Sequence, residues 1–427
     1  MKSRLATPVA VRARGSFTGL IASALMLAAA CGGDFTREPE TGSEGLLDQR
    51  MRDVVLVGNS LDGTVSVLDG RTYENLGAIN VVPDKAGRLT AIYLNPVTAI
   101  AYTVVKQKQK VHHFEPGDGD RFVDDLFVSP DGRTLYVSRS NLGDVAAFDL
   151  TTAEHKQVWR TKVSGFKADH AAISHDGKHL VVSATTVDKA EVYDARTGAK
   201  VGAFPTGNFP HQNDYSANGA RIYNASIGDV SMPHADRPKK GSRQLTVVDA
   251  KTLKVLRTYA FEDGIRPAVI TADESIMYAQ LSYLHGVVKY DLKAGAIVAK
   301  VEHPLTEFAK KTYRAPDEYP HDSSHHGLAM SGDGRRLCDA DTIGNRVAIV
   351  LTGPMVMERS IDTGMVPYWS TTSVDGNHCL VSLSGDNQIA VINYETGQEV
   401  KRVPVGTFPQ RSRLGRIPES AIALLKK

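Results

Sequence analysis

The chain has 427 residues, of which 42% are hydrophobic and 23% charged, so it is long enough and apolar enough to bury a substantial core. Its 50 basic and 48 acidic residues nearly cancel, which leaves a formal net charge of +2. This balance gives no broad positive surface of the kind that binds nucleic acid, so we do not expect nucleic acid as a partner.

The first 30 residues are typical of a lipoprotein signal peptide. Basic residues precede an apolar, small-residue run from 17 to 30, and no acidic residue occurs before Asp34. The run is too short for a membrane-spanning helix, and it ends at Ala30-Cys31 in a context that resembles a lipobox. We therefore expect residues 1–30 to be removed and Cys31 to carry a lipid. Cleavage at an ordinary signal-peptidase site is the alternative.

Residues 31–50 predict a flexible tether, because they are rich in Glu, Thr, Gly and Ser and lack apolar periodicity. We expect the chain to be exported and anchored by its lipid to a membrane of the cell envelope, facing the periplasm or the cell surface. Residues 51–427 are predicted to form a single domain.

A repeated unit of about 42 residues dominates that domain. Its most complete copy begins with Ser129-Pro130-Asp131-Gly132 and continues with apolar runs at 135–138 and 145–149. The first element returns with variations near residues 95, 174, 216, 271, 331 and 373, most weakly at 95 and 271. Asp-Gly or Asn-Gly between two apolar runs supplies the positive φ angles of a tight hairpin, so each copy predicts two paired strands.

A third and a fourth strand complete each unit. Asp or Asn closes the third run and begins another turn, as at 194–198, and a further apolar run follows at 200–204. Four antiparallel strands per unit predict an all-β fold, a β-propeller of four-stranded antiparallel blades. The segment 135–149 resembles the consensus of the YVTN repeat family, and the resemblance covers nearly all of 53–415. It implies a propeller but not a function, because this repeat serves adhesins, binding proteins and redox enzymes.

Eight units can be read, because residues 53–80 add three strands to the seven repeated turns. Ring closure then requires the segment after Phe408-Pro409 to supply the missing inner strand. Seven blades, with the short unit around Asn95 merged into a neighbour, are the alternative. Two loops, 228–243 and 303–324, exceed the length of the repeat and are candidate carriers of function.

The residues just before each inner strand should line one mouth of the central channel. Counting five residues back from each turn, and including neighbours, gives these positions: Thr90, Asp124, Asp169, His170, His211, Arg266, His325, His326, Tyr368 and Trp369. From them we predict a ligand-binding mouth formed by Asp124, Asp169, His170, His211, Arg266, His325, His326 and Tyr368. A merely solvated rim is the alternative.

No cofactor is predicted, although convergent imidazoles suit a metal ion, for which His170, His211 and His326 are the candidates. The sequence contains no recognised catalytic motif. We therefore expect a monomeric scaffold that binds a small ligand or a protein through its mouth and long loops. A metal-dependent oxidoreductase or a lactonase-like hydrolase that uses the same mouth is the alternative.

The two cysteines of the predicted domain, Cys338 and Cys379, occupy second strands of successive blades with an offset of one residue. Because strand side chains alternate between faces, the two thiols could point at each other. Stacked sheets lie about 10 Å apart, whereas a disulfide needs Cα atoms within about 7 Å. We therefore expect two buried free thiols, with a disulfide as the alternative.

Overall fold

The computed structural model describes residues 50–109 and 119–425. Over these ranges the chain forms seven four-stranded antiparallel sheets, a seven-bladed β-propeller. The predicted all-β class and four-stranded blades are thereby confirmed. The signal peptide, Cys31 and most of the tether lie outside the described residues.

Six blades are each built from four consecutive strands, numbered in chain order from the inner to the outer strand. The first three of these blades contain β4 (Asp125–Val128), β5 (Thr134–Arg139), β6 (Asp144–Asp149) and β7 (Gln157–Lys162); β8 (Ala168–Ile173), β9 (His179–Ala184), β10 (Lys189–Asp194) and β11 (Lys200–Pro205); and β12 (Pro210–Tyr215), β13 (Arg221–Ser226), β14 (Gln244–Asp249) and β15 (Val255–Ala260). The next three contain β16 (Ile265–Ile270), β17 (Ile276–Leu281), β18 (Gly286–Asp291) and β19 (Ala296–Glu302); β20 (Leu328–Met330), β21 (Arg336–Asp341), β22 (Arg346–Leu351) and β23 (Val356–Asp362); and β24 (Pro367–Thr372), β25 (His378–Leu383), β26 (Gln388–Asn393) and β27 (Glu399–Pro404).

The remaining blade joins the two ends of the described chain. Its outer three strands are β1 (Met51–Asn59), β2 (Thr64–Asp69) and β3 (Asn75–Asn80), and its inner strand is β28 (Pro409–Pro418). β28 pairs antiparallel with β1 and packs against the inner strands β4 and β24. The predicted closure by the segment after Phe408-Pro409 is therefore confirmed, and a short helix, α4 (Glu419–Ile422), follows it.

The eighth unit predicted around Asn95 is wrong. Residues there form two helices inserted between β3 and β4, α1 (Lys85–Tyr93) and α2 (Pro96–Gln109). The side-chain Oδ1 of Asn95 accepts hydrogen bonds from the backbone N–H of Val97 and Thr98, at 3.0 and 3.3 Å. Asn followed by Pro therefore begins a helix here rather than a hairpin turn, and the seven-blade alternative is correct.

The repeated turn holds each inner hairpin together by side-chain hydrogen bonds. In the first copy, Ser129 Oγ donates to Asp131 Oδ1 at 2.5 Å and accepts from the backbone N–H of Thr134 at 3.0 Å. Gly132 occupies the left-handed region at φ 67°, where a side chain would be strained. The same bonds recur at Ser174 and Ser373, which explains the conserved spacing within this chain.

Cys338 in β21 and Cys379 in β25 form a disulfide, with their Cα atoms 6.3 Å apart. The expectation of two free thiols is therefore wrong. The one-residue offset does aim the two side chains at each other, but blades converge on the propeller axis. Second strands of neighbouring blades consequently approach more closely than the roughly 10 Å between evenly stacked sheets.

Both long loops contain short helical segments. Loop 228–243 includes a 3₁₀ helix, His234–Lys239, and loop 303–324 includes α3 (Glu307–Thr312). In the described part of the chain, no helix has the length and apolar character needed to cross a membrane.

The two loops and the helical insertion contact one another. Lys240 Nζ donates to Asp322 Oδ2 at 2.8 Å, and this salt bridge joins the two loops with both side chains buried. Lys108 Nζ on α2 donates to the carbonyl of Ser231 at 3.4 Å. All three insertions contribute residues to one cavity at the mouth of the channel.

Candidate functional site

A cavity of about 240 Å³ lies at the mouth of the central channel. Six of the eight predicted ligand-binding residues line it: Asp124, Asp169, His211, Arg266, His326 and Tyr368. They come from six different blades because each precedes or begins an inner strand. All six side chains are buried, so the mouth is a formed site rather than an open rim.

Three blades enter the mouth through the same local turn. Phe209, Val366 and Phe408 each precede a proline and adopt positive φ angles of 53°, 55° and 58°. This left-handed conformation is costly for such residues and turns the chain sharply into the inner strand. The side chains that follow the prolines, including His211 and Tyr368, are thereby placed at the cavity.

Arg411 on β28 is the central cation of the site and was not among the predicted site residues. Its Nη2 contacts His170 Nε2 and lies 3.5 Å from Asp124 Oδ1. Its guanidinium packs on Trp369, with Cζ 4.2 Å from the ring centroid. Its Nε and Nη1 are buried and have no hydrogen-bond partner among the described residues. An unmatched buried donor costs about 1–3 kcal/mol, so these two donors suit an incoming acceptor.

Asp124 and Asp169 form a coupled acidic pair around Lys167. Lys167 Nζ lies 2.5 Å from Asp169 Oδ2 and 3.8 Å from Asp124 Oδ2. Burial raises the pKa of Asp124 to about 7, and the Asp169 carboxylate adds to that rise. Burial also acts to raise the pKa of Asp169, but Lys167, His211 and Arg411 outweigh it and hold that pKa below its usual range. Asp124 is thus the member of the pair that titrates near neutral pH.

The histidines predicted at the mouth form a row of neutral rings. The ring centroids of His170 and His211 are 4.0 Å apart, and those of His211 and His326 are 5.5 Å apart. Burial lowers the pKa of all three rings well below the usual value, and the charge of Arg411 lowers each further. His326 also stacks on Tyr368. Burial raises the pKa of Tyr368 to about 12.

Two of the predicted ligand-binding residues, His170 and His325, and two other counted positions, Thr90 and Trp369, do not line the cavity. His170 lies behind Arg411. His325 faces the opposite way from His326, because neighbours along an extended segment alternate, and its Nδ1 lies 2.7 Å from Asp339 Oδ1. Thr90 is on α1, where its hydroxyl donates to the carbonyl of Ala86 at 2.9 Å.

The described residues contain three His/Asp groups whose ligand atoms lie within 4.8 Å of one another: Asp169–His170–His211, His285–His325–Asp341 and His303–His325–Asp339. The first belongs to the mouth, where metal candidates were predicted. There Arg411 contacts His170 Nε2, so a permanent positive charge already occupies the position that a metal cation would approach. The mouth group is therefore poorly suited to a metal.

The cavity lining combines basic and apolar side chains. Five basic and two acidic side chains line it, which gives a formal charge of +3 with the histidines neutral: Lys108, Arg121, Lys167, Arg266 and Arg411 against Asp124 and Asp169. The apolar lining residues include Val104, Phe209, Ile227 and Val230. Such a lining suits a small anion with an apolar body.

No protein-family model matches the chain, and no curated protein sequence matches it. Among solved structures, it is similar to a chain of Kuenenia stuttgartiensis hydrazine synthase, with a TM-score of 0.57 and 17% sequence identity. The match covers 85% of this chain and 100% of that chain. At this identity the likeness shows the propeller fold alone, a fold that hosts both scaffolds and enzymes.

Proposed function

We propose that this protein is a lipid-anchored, extracytoplasmic propeller of the YVTN type that binds a small anion with an apolar body in its channel mouth. The observation that carries the proposal is Arg411, whose Nε and Nη1 are buried donors without an acceptor among the described residues. The two N–H groups lie on different edges of the guanidinium, so each can donate one charge-assisted hydrogen bond to a carboxylate or phosphate oxygen.

The surroundings of Arg411 favour the same ligand class. The positive formal charge of the lining attracts an anion, and burial strengthens that attraction because it lowers the local dielectric. The apolar side chains of Val104, Phe209, Ile227 and Val230 accommodate a hydrocarbon portion. A volume of about 240 Å³ limits the ligand to a small molecule.

Benzoate, compared with its neutral counterpart benzamide, tests the proposal by calorimetric titration. Benzoate is expected to bind roughly tenfold more tightly at pH 6 than at pH 8. Burial raises the pKa of Asp124 to about 7, so this carboxylate gains a proton as the pH falls through neutrality, and its opposing charge is then lost. Benzamide should bind weakly at both pH values.

Asp124→Asn separates this effect from any titration of the mouth histidines, which would change affinity in the same direction. The variant should bind benzoate equally well at pH 6 and pH 8, with the affinity of the wild type at pH 6. Equal affinity for benzamide and benzoate would contradict anion binding. A pH dependence that persists in the variant would remove Asp124 as its cause.

Export and anchoring rest on the sequence of the first 31 residues. We propose that the lipid on Cys31 holds the protein on a membrane as a monomer, facing the periplasm or the cell surface. Cys31→Ser should release the protein from the membrane fraction, because acylation at this position is lost. Wild-type protein that incorporates no labelled palmitate, and whose mature chain begins elsewhere, would contradict the anchor.

An enzyme that uses the same mouth is the second candidate, as a lactonase-like hydrolase, because the contact of Arg411 with His170 disfavours the metal-dependent oxidoreductase. Asp124 favours it, because a buried carboxyl group with a pKa of about 7 is suited to proton transfer at neutral pH. Incubation with lactone probes distinguishes the two, since a binding protein returns them unchanged.

A further inference from the structure

A second cluster of histidines and aspartates lies between two neighbouring blades and outside the cavity lining. His285 is in the turn between β17 and β18, whereas His325 precedes β20 and Asp341 ends β21. The side chains of His325 and Asp341 are fully buried, and that of His285 is 10% exposed. The cluster therefore has one narrow contact with solvent, at His285.

The hydrogen bonds fix which nitrogen of each ring carries a hydrogen. His285 Nδ1 lies 2.7 Å from the carbonyl oxygen of His303, which can only accept. His325 Nδ1 lies 2.7 Å from Asp339 Oδ1, which accepts likewise. In a neutral imidazole protonated at Nδ1, Nε2 presents a lone pair.

Both Nε2 atoms lie near the same carboxylate oxygen. Asp341 Oδ1 lies 3.2 Å from His285 Nε2 and 3.6 Å from His325 Nε2, and it accepts from the backbone N–H of Gly344 at 2.8 Å. A positive charge is needed to hold the two nitrogens against this oxygen, and it can be a second proton on His285, donated to Asp341, or a metal ion. The proton leaves His325 Nε2 without a hydrogen-bond partner among the described residues, whereas a metal ion binds all three atoms.

The separations match those of ligands around one ion. In a tetrahedral site with bonds of about 2.0–2.1 Å, neighbouring ligand atoms are about 3.3 Å apart. The two measured distances, 3.2 and 3.6 Å, lie on either side of that value. All three ligand atoms lie within 4.8 Å of one another, so small side-chain shifts complete the geometry.

Neighbouring side chains orient the residues of this cluster by hydrogen bonds, as they do for the ligands of a metal site. Asp341 Oδ2 accepts from Arg346 Nε at 2.8 Å, which orients the carboxylate. Asp339 also accepts from His303 Nε2 at 2.9 Å and from Gln280 Nε2 at 2.5 Å, so its position behind His325 is fixed. A carboxylate or a carbonyl bonded to the far nitrogen of each histidine is the usual arrangement behind metal-bound imidazoles.

We propose that His285, His325 and Asp341 bind a divalent transition-metal ion such as Zn²⁺. Two imidazole nitrogens with one carboxylate oxygen are ligands that suit Zn²⁺, whereas Ca²⁺ and Mg²⁺ prefer oxygen ligands throughout. Three protein ligands leave a fourth position for water or another small ligand. The site does not depend on the anion proposed for the mouth, because the two sets of residues are separate.

Zinc analysis of the full chain, purified without a histidine tag, tests the proposal. Protein stripped with a chelator and incubated with Zn²⁺ is expected to retain one zinc per chain after gel filtration. His285→Ala is expected to abolish this retention, and it perturbs folding least because His285 lies at the solvent edge. Asp341→Asn should do the same, and circular dichroism of each metal-free variant verifies its fold.

His211→Gln is the matched control. It alters the mouth histidines and leaves unchanged the blade-interface cluster, which consists of His285, His325 and Asp341. This variant should retain one zinc, and Co²⁺ in place of Zn²⁺ should give the strong visible absorption of a tetrahedral site in wild type and control alike. The proposal is overturned if wild-type protein retains no stoichiometric zinc. It is also overturned if retention survives in folded His285→Ala, or is lost only in His211→Gln.

Discussion

Replacing Arg411 by Gln is expected to weaken benzoate binding at the channel mouth by about 100-fold. Removing one partner of a buried, hydrogen-bonded charge pair costs roughly 3 kcal/mol, which corresponds to that factor. Arg411 is 1% exposed, and its Nε and Nη1 are buried and lack an acceptor among the described residues. Solvent therefore does not screen their interaction with a bound anion. Calorimetric titration at pH 6, where Asp124 is mostly protonated, measures the difference.

Arg416→Gln is the matched control because it removes the same charge from the same strand. Its side chain is 63% exposed and lies 3.4 Å from Asp53 at the surface. Its benzoate affinity should equal that of the wild type. Arg411→Lys keeps the charge but replaces the two separated N–H donors by one compact ammonium group, so an intermediate loss of roughly tenfold is expected. Wild-type affinity in a folded Arg411→Gln variant would contradict the role of this residue.

The sequence predicted six of the blades because each of these repeats a turn with a physical requirement. A Ser or Thr hydroxyl bonds to Asp or Asn across the turn, and the residue with positive φ is Gly in five of the six copies and Glu274 in the other. Their spacing then placed residues such as Asp124, Asp169 and His211 at the start of inner strands. Whether those side chains converge in one cavity depends on how the blades close into a ring. The repeat implies a ring but does not give the positions of the blades within it.

The helical insertion was predicted to be a blade because a short motif was interpreted as the hairpin turn that occurs elsewhere in the chain. Asn95-Pro96 stands near a repeat position, yet Asn with Pro also satisfies the first turn of a helix. The local motif alone does not separate these meanings. The periodicity of residues 85–109, which lack the alternation of a strand, was the signal that could have decided it.

Arg411 lay outside the positions that were counted back from the repeated turns. A signal for its role was present in the proline that begins three of these strands, Pro210, Pro367 and Pro409. Aligning the chain on these prolines instead of the Ser-x-Asp-Gly turn would have placed Gln410 beside His211 and Tyr368, with Arg411 next to it. The closing strand, β28, is not followed by a Ser-x-Asp-Gly turn. Counting residues back from these turns therefore could not identify Arg411.

The blade-interface cluster lay beyond the reach of the repeat for a different reason. His285 follows the second strand of one blade, Asp341 ends the second strand of the next, and His325 precedes an inner strand. No single position in the repeat contains all three. Only the packing of one blade on the next brings them within 4.8 Å.

The double variant Cys338→Ala/Cys379→Ala is expected to lose about 4 kcal/mol of unfolding free energy. The disulfide joins positions 41 residues apart, and the loop-closure entropy for a loop of that size corresponds to about 4 kcal/mol. Both residues are fully buried in the apolar cluster between the two blades, where alanine leaves only a small void. Urea unfolding under non-reducing conditions measures the difference.

Wild-type protein unfolded in the presence of a reductant is the matched control, since it loses the crosslink and keeps both sulfur atoms. Its stability should fall close to that of the double variant, which would assign the loss to the crosslink rather than to packing. In a Cys31→Ser background, denatured and unreduced protein should expose no titratable thiol, and reduction should release two. Two thiols before reduction, or a double variant as stable as the wild type, would show that the two blades are not covalently joined in solution.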